Sequence, residues 1–186
     1  MQTMREDLQE ILITEQQIQQ RLDALALEIQ REYAEKDLTL VAVLTGSVMF
    51  VADLLRRLPI PLRFDHLGVS SYHGDTHSTG DLIITKALGL EVRGHDVLVV
   101  DDILDTGRTL VRIREMIHKL QPRSLKFGVF LEKDVPHHDG FRPDFVGFQI
   151  PNRFVVGYGL DYQERYRNLP FVGTLRDEVI RRRSDL

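Results

Sequence analysis

The chain contains no cysteine among its 186 residues. This absence excludes a disulfide-stapled scaffold, a cysteine nucleophile and a thiolate zinc site. Long apolar runs are also absent, since none approaches the roughly 18 residues that span a bilayer, and we expect no membrane partner. The first ten residues are mostly polar and charged, so we expect no signal peptide and a cytoplasmic location.

An excess of positive charge is lacking as well. Lys and Arg number 24 against 28 Asp and Glu, which gives a net charge of −4. Non-specific nucleic-acid binding rests on a basic face that neutralises phosphates, so we expect no nucleic-acid partner. The basic run at 181–183 is interpreted as a solvated helix end or terminus. With 42% hydrophobic residues and neither repeat nor linker, the chain is predicted to form one domain over residues 1–186.

Apolar periodicity predicts an α/β protein. Thr14 and Gln17 form a capping box that begins a helix predicted over residues 14–36. The β-branched and aliphatic run Leu38–Leu44 is typical of a strand buried on both faces. Further strands are predicted at 62–69, 82–84, 97–100 and 125–131, and further helices at 48–58 and 107–120. The alternation of strand and helix through 38–131 indicates a parallel sheet with right-handed crossovers.

The stretch after the predicted strand at 97–100 is the most informative part of the chain. Asp101 and Asp102 follow that strand directly, Asp105 comes after two apolar residues, and a Thr-Gly-Arg-Thr turn at 106–109 opens the next helix. Ligands of open α/β sheets bind outside the carboxyl ends of the strands, and a helix N-terminus suits a phosphate. Two adjacent carboxylates repel each other unless a partner compensates them. The stretch therefore predicts a ligand with a phosphate and with vicinal hydroxyls or a metal.

These residues resemble the 5-phosphoribosyl-1-pyrophosphate signature of the type I phosphoribosyltransferases. A longer match, from about residue 41 to residue 167, resembles the hypoxanthine-guanine branch of that family. Its pieces occur in family order at Leu44–Ser47, Ser70–Tyr72, Ser78–Gly80, Asp101–Thr109, Lys133, Pro143–Phe148, Phe154–Tyr158 and Leu160–Tyr162. The resemblance implies an α/β fold with a parallel-sheet core flanked by helices. It also implies a small hood from the N- and C-terminal segments, the N-terminal helix among them.

The resemblance implies phosphoribosyl transfer to hypoxanthine or guanine in purine salvage, and it implies roles for the residues around the turn. Asp105 would be the general base that accepts a proton from a purine nitrogen. Asp101 and Asp102 would bind the ribose hydroxyls. The 5-phosphate would be held by Thr106, Gly107, Arg108 and Thr109. The pyrophosphate would be held by Thr45, Gly46 and Arg167.

Base recognition is implied for four residues. Lys133 would donate a hydrogen bond to the 6-oxo group of the purine. Phe154 would stack on one face of the ring, with Ile103 on the other. The backbone of Val155 would contact the base edge.

The resemblance further implies a Mg²⁺ cofactor, because a diphosphate leaving group needs charge neutralisation. Asp161 is the expected ligand, and Asp101 and Asp102 are further candidates. Relatives often have a cis peptide bond at the position of Leu44–Thr45. The implied partners are the two small-molecule substrates and further copies of the chain, in a homodimer or homotetramer.

Residues 70–81 are polar, include two glycines and lack an apolar period. Loops of about twelve residues inside compact domains are often lids or binding loops. By resemblance this segment would be a lid that excludes water from the activated ribose. Ser70 and Tyr72 are the candidates for contacts made on closure.

Three positions depart from the family pattern, and two alternatives stay open. Thr45 stands where many relatives have lysine or arginine, Asp101 replaces a usual glutamate, and Ala87 replaces a frequent aspartate. One alternative is a regulator of this fold that binds nucleic acid, which the net charge disfavours. The other is an enzyme of this fold that uses xanthine, adenine or a pyrimidine. Lys133 favours a 6-oxo group over the amino group of adenine, because ammonium can only donate.

Overall fold

A computed structural model describes residues 4–71 and 82–184. The strands and helices alternate through most of this range. In chain order they are β1 (Leu8–Ile13), α1 (Glu15–Tyr33), β2 (Leu38–Leu44), α2 (Val48–Leu55), β3 (Leu62–Ser71), β4 (Leu82–Lys86), β5 (Asp96–Leu104), α3 (Arg108–His118), β6 (Ser124–Lys133), β7 (Phe145–Ile150), β8 (Val172–Leu175) and α4 (Asp177–Ser184). A short 3₁₀ turn, His138–Gly140, lies between β6 and β7. No helix in the described ranges is long and apolar enough to cross a membrane.

The central sheet has six strands in the order β4-β3-β2-β5-β6-β7. Strands β3, β2, β5, β6 and β7 are parallel, which confirms the predicted parallel sheet. The edge strand β4 is antiparallel to β3. Because the carboxyl ends of β2, β5 and β6 meet at one edge of the sheet, the loops that follow these strands can form a common site.

Both faces of the sheet are covered, which explains the continuous apolar run in β2. Leu40 packs with α1 and α2 in one hydrophobic cluster, which includes Leu22 and Phe50. Its neighbour Val41 packs on the opposite face with Ile113 of α3. Successive side chains of a strand point to opposite faces, so a strand between two helical layers is apolar on both faces. The buried Thr39 is the exception, and its hydroxyl accepts a hydrogen bond from Arg63.

The predicted first helix is confirmed, including its capping box, in which Thr14 and Gln17 bond to each other's backbone N–H groups. Helix α2 ends at Leu55, before the predicted end at residue 58. Strand β5 continues beyond the predicted 97–100 to Leu104, where it still pairs with Glu132 of β6. Asp101 and Asp102 therefore lie within the strand rather than after it.

A hood forms from the two ends of the chain. Strand β1 pairs antiparallel with β8, and Val156 bridges to Gly173 beside them. Leu8, Val156, Tyr166 and Phe171 share a small hydrophobic cluster of their own. The hood predicted from the N- and C-terminal segments is confirmed, but the inclusion of the N-terminal helix is wrong. Helix α1 packs in the main core instead, where its buried face shares one hydrophobic cluster with α2 and the central sheet.

Candidate active site

A cleft of about 570 Å³ opens at the carboxyl edge of the sheet. It brings together many of the predicted site residues from three separate parts of the chain. Its lining includes Thr45, Gly46, Asp101, Asp102, Ile103, Asp105, Thr106, Gly107, Arg108, Thr109, Asp161 and Arg167. The cleft therefore joins the loop after β2, the end of β5 with its turn, and the segment that leads to the hood.

The loop after β2 is packed too tightly for a side chain at Gly46. The Leu44–Thr45 peptide bond is cis, as the family resemblance implied. A Cβ atom at Gly46 would lie 1.7 Å from Oδ2 of Asp102, and a Cβ atom at Gly159 would lie 2.0 Å from the Gly46 carbonyl oxygen. The backbone at Gly46 is thus packed between Asp102 of β5 and Gly159. Gly46 also lines the cleft.

Asp101 and Asp102 form a closely coupled carboxylate pair. The Asp102 backbone N–H donates to Oδ1 of Asp101 at 2.9 Å, and Asp101 is buried. Burial, and then the adjacent Asp102 charge, raise the pKa of the Asp101 carboxyl well above its usual range. Burial also raises the pKa of the Asp102 carboxyl. The pair is therefore short of compensating partners, and ribose hydroxyls or a cation would supply them.

The turn at residues 106–109 leads directly into α3. Gly107 is the N-cap, has a φ of 81° in the left-handed region, and carries no side-chain cap. Its carbonyl oxygen accepts from the Val111 N–H at 3.0 Å, as a helix start requires. A helix N-terminus combines unpaired N–H groups with the positive end of the helix dipole. The turn is therefore suited to an anion in the cleft.

An ion pair joins Asp105, the predicted general base, to Lys133, the residue predicted to recognise the purine. Lys133 Nζ lies 2.8 Å from Oδ2 of Asp105. Lys133 is the last residue of β6, and Asp105 directly follows the neighbouring strand β5. The Lys133 side chain is 11% exposed and that of Asp105 is 52% exposed. A partly buried ammonium donor and an exposed carboxylate acceptor thus lie side by side at the start of the turn.

Arg167 bridges the acidic groups on the hood side of the cleft. Its guanidinium lies 3.0 Å from Asp161 Oδ1 and 3.0 Å from Glu164 Oε2, and it donates to the Gly159 carbonyl at 2.9 Å. The Glu164 N–H donates to Asp161 Oδ2 at 2.9 Å. Sequence reasoning missed Gly159, which directly precedes the quoted Leu160–Tyr162 motif, and Glu164, which lies two residues after it.

Of the four residues predicted to contact the purine base, three do not line the cleft. Phe154 is 50% exposed, and its ring meets Tyr162 edge-to-face at 5.6 Å. Val155 is buried, and Lys133 lines a second cavity of about 510 Å³. Ile103 is the one predicted base-contact residue that lines the cleft. The stacking arrangement around a purine stays a prediction.

The predicted lid falls largely outside the described residues, and Tyr72 lies there. Ser70 and Ser71 belong to β3, where they pair with Ile83 and Leu82. Strand β3 therefore includes the first two residues of the predicted loop, because its pairing with β4 extends to Ser71.

No group of three or more His, Asp or Glu side chains that could hold a metal ion occurs within residues 4–71 and 82–184. Asp101, Asp102 and Asp161 nevertheless line the same cleft. They do not form a ready-made cage, so a metal bound there would need ligand oxygens from other groups.

Comparison with known proteins agrees with this geometry. The family described as phosphoribosyl transferase domain matches residues 9–163. The chain belongs to the phosphoribosyltransferase family. A hypoxanthine-guanine phosphoribosyltransferase from Staphylococcus aureus (strain Mu50 / ATCC 700699) is 44% identical over 176 residues, which cover 95% of this chain and 98% of that protein.

Solved structures of the phosphoribosyltransferase family share the fold along nearly the whole chain. The crystal structure of a hypoxanthine phosphoribosyltransferase from Staphylococcus aureus has a TM-score of 0.90 at 44% identity and covers 95% of this chain and 96% of its own. A hypoxanthine phosphoribosyl transferase from Trypanosoma cruzi has a TM-score of 0.91 at 38% identity and covers 97% of this chain and 98% of its own. The predicted type I phosphoribosyltransferase fold is confirmed.

Proposed function

We propose that the protein is a purine salvage enzyme that transfers a phosphoribosyl group from 5-phosphoribosyl-1-pyrophosphate to hypoxanthine or guanine. The products are the ribonucleoside 5′-monophosphate and pyrophosphate. The observation that carries the proposal is the Lys133–Asp105 ion pair at the start of the 106–109 turn. It places a hydrogen-bond donor for the purine 6-oxo group and a proton acceptor side by side. Both lie next to the turn that would bind the 5-phosphate of the sugar substrate.

The sugar donor would occupy the cleft in one orientation. Its 5-phosphate fits the N–H groups and hydroxyls of Thr106, Gly107, Arg108 and Thr109 at the N-terminus of α3. Its ribose hydroxyls fit Asp101 and Asp102, since each carboxylate can accept two hydrogen bonds. Its pyrophosphate then points to Thr45, Gly46 and the Arg167 guanidinium, which suits a phosphate group.

Transfer breaks the bond between C1′ and the pyrophosphate oxygen and forms a bond between C1′ and a purine nitrogen. The proton that the purine ring gives up passes to Asp105, the proposed general base. Lys133 turns from Asp105 to the purine 6-oxo group and holds the ring for attack. Phe154, Ile103 and the Val155 backbone complete the base site in this proposal.

The chemistry of the carboxylates fits Mg²⁺, and we infer that the enzyme uses it. Asp161, Asp101 and Asp102 offer hard oxygen atoms to one cleft. Mg²⁺ in such enzymes binds one or two carboxylates together with substrate oxygens, which agrees with the lack of a three-ligand cage in the described part of the chain. When bound, the ion neutralises charge on the diphosphate leaving group.

We also propose a cytoplasmic enzyme that acts as a homodimer or homotetramer, with one domain that carries the whole reaction. The small-molecule substrates are its partners, and the net charge of −4 argues against nucleic acid. Sedimentation equilibrium would give the number of chains. A monomer at micromolar concentration would contradict the oligomer.

An activity screen tests the proposed function. Purified protein with Mg²⁺ and the sugar donor is given hypoxanthine, guanine, xanthine or adenine in separate reactions, and nucleotide and pyrophosphate are both measured. We expect hypoxanthine and guanine to give nucleotide and pyrophosphate in equal amounts, and adenine to give none. Release of pyrophosphate without nucleotide, or a preference for adenine, would overturn the proposal.

A further inference from the structure

The segment that follows β6 makes contacts that the proposed reaction does not use. Residues 137–141 lie a few positions after the end of β6 and pack against the 106–109 turn. The His138 backbone N–H donates to the Thr106 carbonyl oxygen at 2.7 Å. At the other end, His137 Nε2 lies 3.2 Å from the carbonyl oxygen of Lys133. The segment thus joins the residue proposed to recognise the purine to the turn proposed to hold the phosphate.

Side-chain packing fixes the segment against the turn and against α3. A Cβ atom at Gly107 would lie 3.7 Å from Cβ of His137 and 3.7 Å from Cβ of Phe141, so both residues back directly onto Gly107. Phe141 is buried, and its ring meets Phe127 of β6 edge-to-face at 5.1 Å.

An ion pair adds a second link between the segment and α3. Arg114 lies 2.5 Å from Asp139 and stands over the Phe141 ring at 5.6 Å from its centroid. The segment is therefore anchored in the sheet core at one point and on the helix at another.

The hydrogen bond to Thr106 sets the direction of the next N–H group. A trans peptide is planar, and its C=O and N–H point to opposite sides. The Thr106–Gly107 peptide presents its carbonyl to His138, so the Gly107 N–H lies on the opposite side of the peptide from His138. Gly107 itself lines the cleft. The glycine itself restricts this peptide little, because it has no Cβ.

We propose that residues 137–141 position the 106–109 turn for the 5-phosphate, and that the His138 backbone N–H is the contact through which they act. The inference rests on the proposed function, because it assigns the turn to the donor's 5-phosphate. His138 is a positioning residue and touches no substrate. Its exposed side chain plays no part in the contact.

A proline substitution tests this contact selectively. His138→Pro removes the N–H donor, and the site tolerates proline because His137 is extended at φ −89° and ψ 144° and residue 138 begins the 3₁₀ turn. His138→Ala keeps the N–H and is the matched control. We expect His138→Pro to raise the Kd and the KM of the sugar donor about five- to tenfold, the size of one hydrogen bond. His138→Ala should leave both values unchanged.

A split between the two substrates separates positioning from general loosening. At saturating sugar donor, the KM for hypoxanthine and kcat should change less than about twofold in His138→Pro. The His138 contact is to the phosphate turn, whereas the contact to Lys133 is made by His137, which is unchanged. Equal donor Kd in His138→Pro and His138→Ala overturns the inference. An equal rise in the KM of both substrates overturns it too.

Calorimetric donor binding with Mg²⁺ keeps this test separate from the proposed function. Wild-type protein that binds the donor but transfers it to no purine would refute the function and leave the binding test valid. If His138→Pro fails to fold, the Asp139→Asn variant tests the same inference. It breaks the ion pair with Arg114, and asparagine accepts the left-handed φ of 55° at this position. The donor Kd should then rise about twofold, as for a surface ion pair, and an unchanged Kd refutes the inference.

Discussion

The Nζ atom of Lys133 lies 2.8 Å from Oδ2 of Asp105 across the ends of two neighbouring strands. Before a purine enters, each of these proposed functional groups is therefore the partner of the other. A purine whose 6-oxo group takes the ammonium releases the carboxylate at the same moment. Loss of either residue changes the environment of the other, so the effects of the two single substitutions should not add.

Asp105→Asn should lower kcat by about 10² to 10⁴, the usual contribution of a general base. Asparagine keeps the size of the side chain but cannot take up the proton. The donor Kd should stay close to the wild-type value, because the carboxylate does not touch the donor in the proposed arrangement. Steady-state kinetics and calorimetry measure the two quantities. Unchanged turnover would remove Asp105 as the base.

Lys133→Ala should raise the KM for hypoxanthine and guanine about 10- to 100-fold, because a hydrogen bond from a charged donor is lost. The KM for the sugar donor should change much less. Lys126→Ala is the matched control, since Lys126 lies on the same strand but pairs with Glu32 on α1. Equal losses for purine and donor in Lys133→Ala would contradict its role in base recognition.

Gly46→Ala should impair donor binding more than it impairs stability. The added Cβ would lie 1.7 Å from Oδ2 of Asp102, and the carboxylate can rotate away only by leaving its proposed ribose position. We expect the donor Kd to rise more than about tenfold while the unfolding free energy falls by about 1 to 3 kcal/mol.

Gly89→Ala serves as the control for that substitution. Its added Cβ would lie 3.8 Å from Oδ2 of Asp65, which is an ordinary van der Waals contact. We expect a stability change within about 0.5 kcal/mol and normal donor binding. Similar donor affinities in the two alanine variants would show that the tight packing at Gly46 does not matter for the donor.

Asp65 should make stability depend on pH in the acid range. Burial alone would raise the pKa of its carboxyl, but hydrogen bonds from the Leu90, His66 and Gly89 N–H groups and from the Lys86 ammonium outweigh burial and lower it from 3.8 to about 2. A lowered pKa in the folded state stabilises the protein above the unfolded value. This stabilisation is lost as the pH falls from about 4 through about 2.

Urea unfolding of wild type and Asp65→Asn measures this effect. At pH 7 the variant should be less stable by about 2 kcal/mol, and the difference should shrink as the pH approaches 2. A difference that stays constant between pH 7 and pH 3 would show that the asparagine acts by another route than the loss of charge.

The elements with a strong local signal could be predicted from the sequence. The helix that begins at the Thr14 capping box and the strand Leu38–Leu44 are both confirmed. Helix caps and strands buried on both faces can be predicted because their signals lie in residues close together in the sequence. The short hood strands β1 and β8 could not be found in this way. Their pairing joins the two ends of the chain, and their few residues carry no periodic pattern.

The sequence by itself indicated a parallel sheet through its alternation of strand and helix. It also placed the turn that opens α3 and the aspartates beside it, since these lie within one short stretch. Only the tertiary structure decided that Lys133 contacts Asp105, that Arg167 bridges Asp161 and Glu164, and that His138 supports Thr106. Each of these contacts joins residues from separate strands or loops, or depends on how the backbone turns between them. Such distances follow from strand order and register, which the packing of the whole sheet sets and no local pattern encodes.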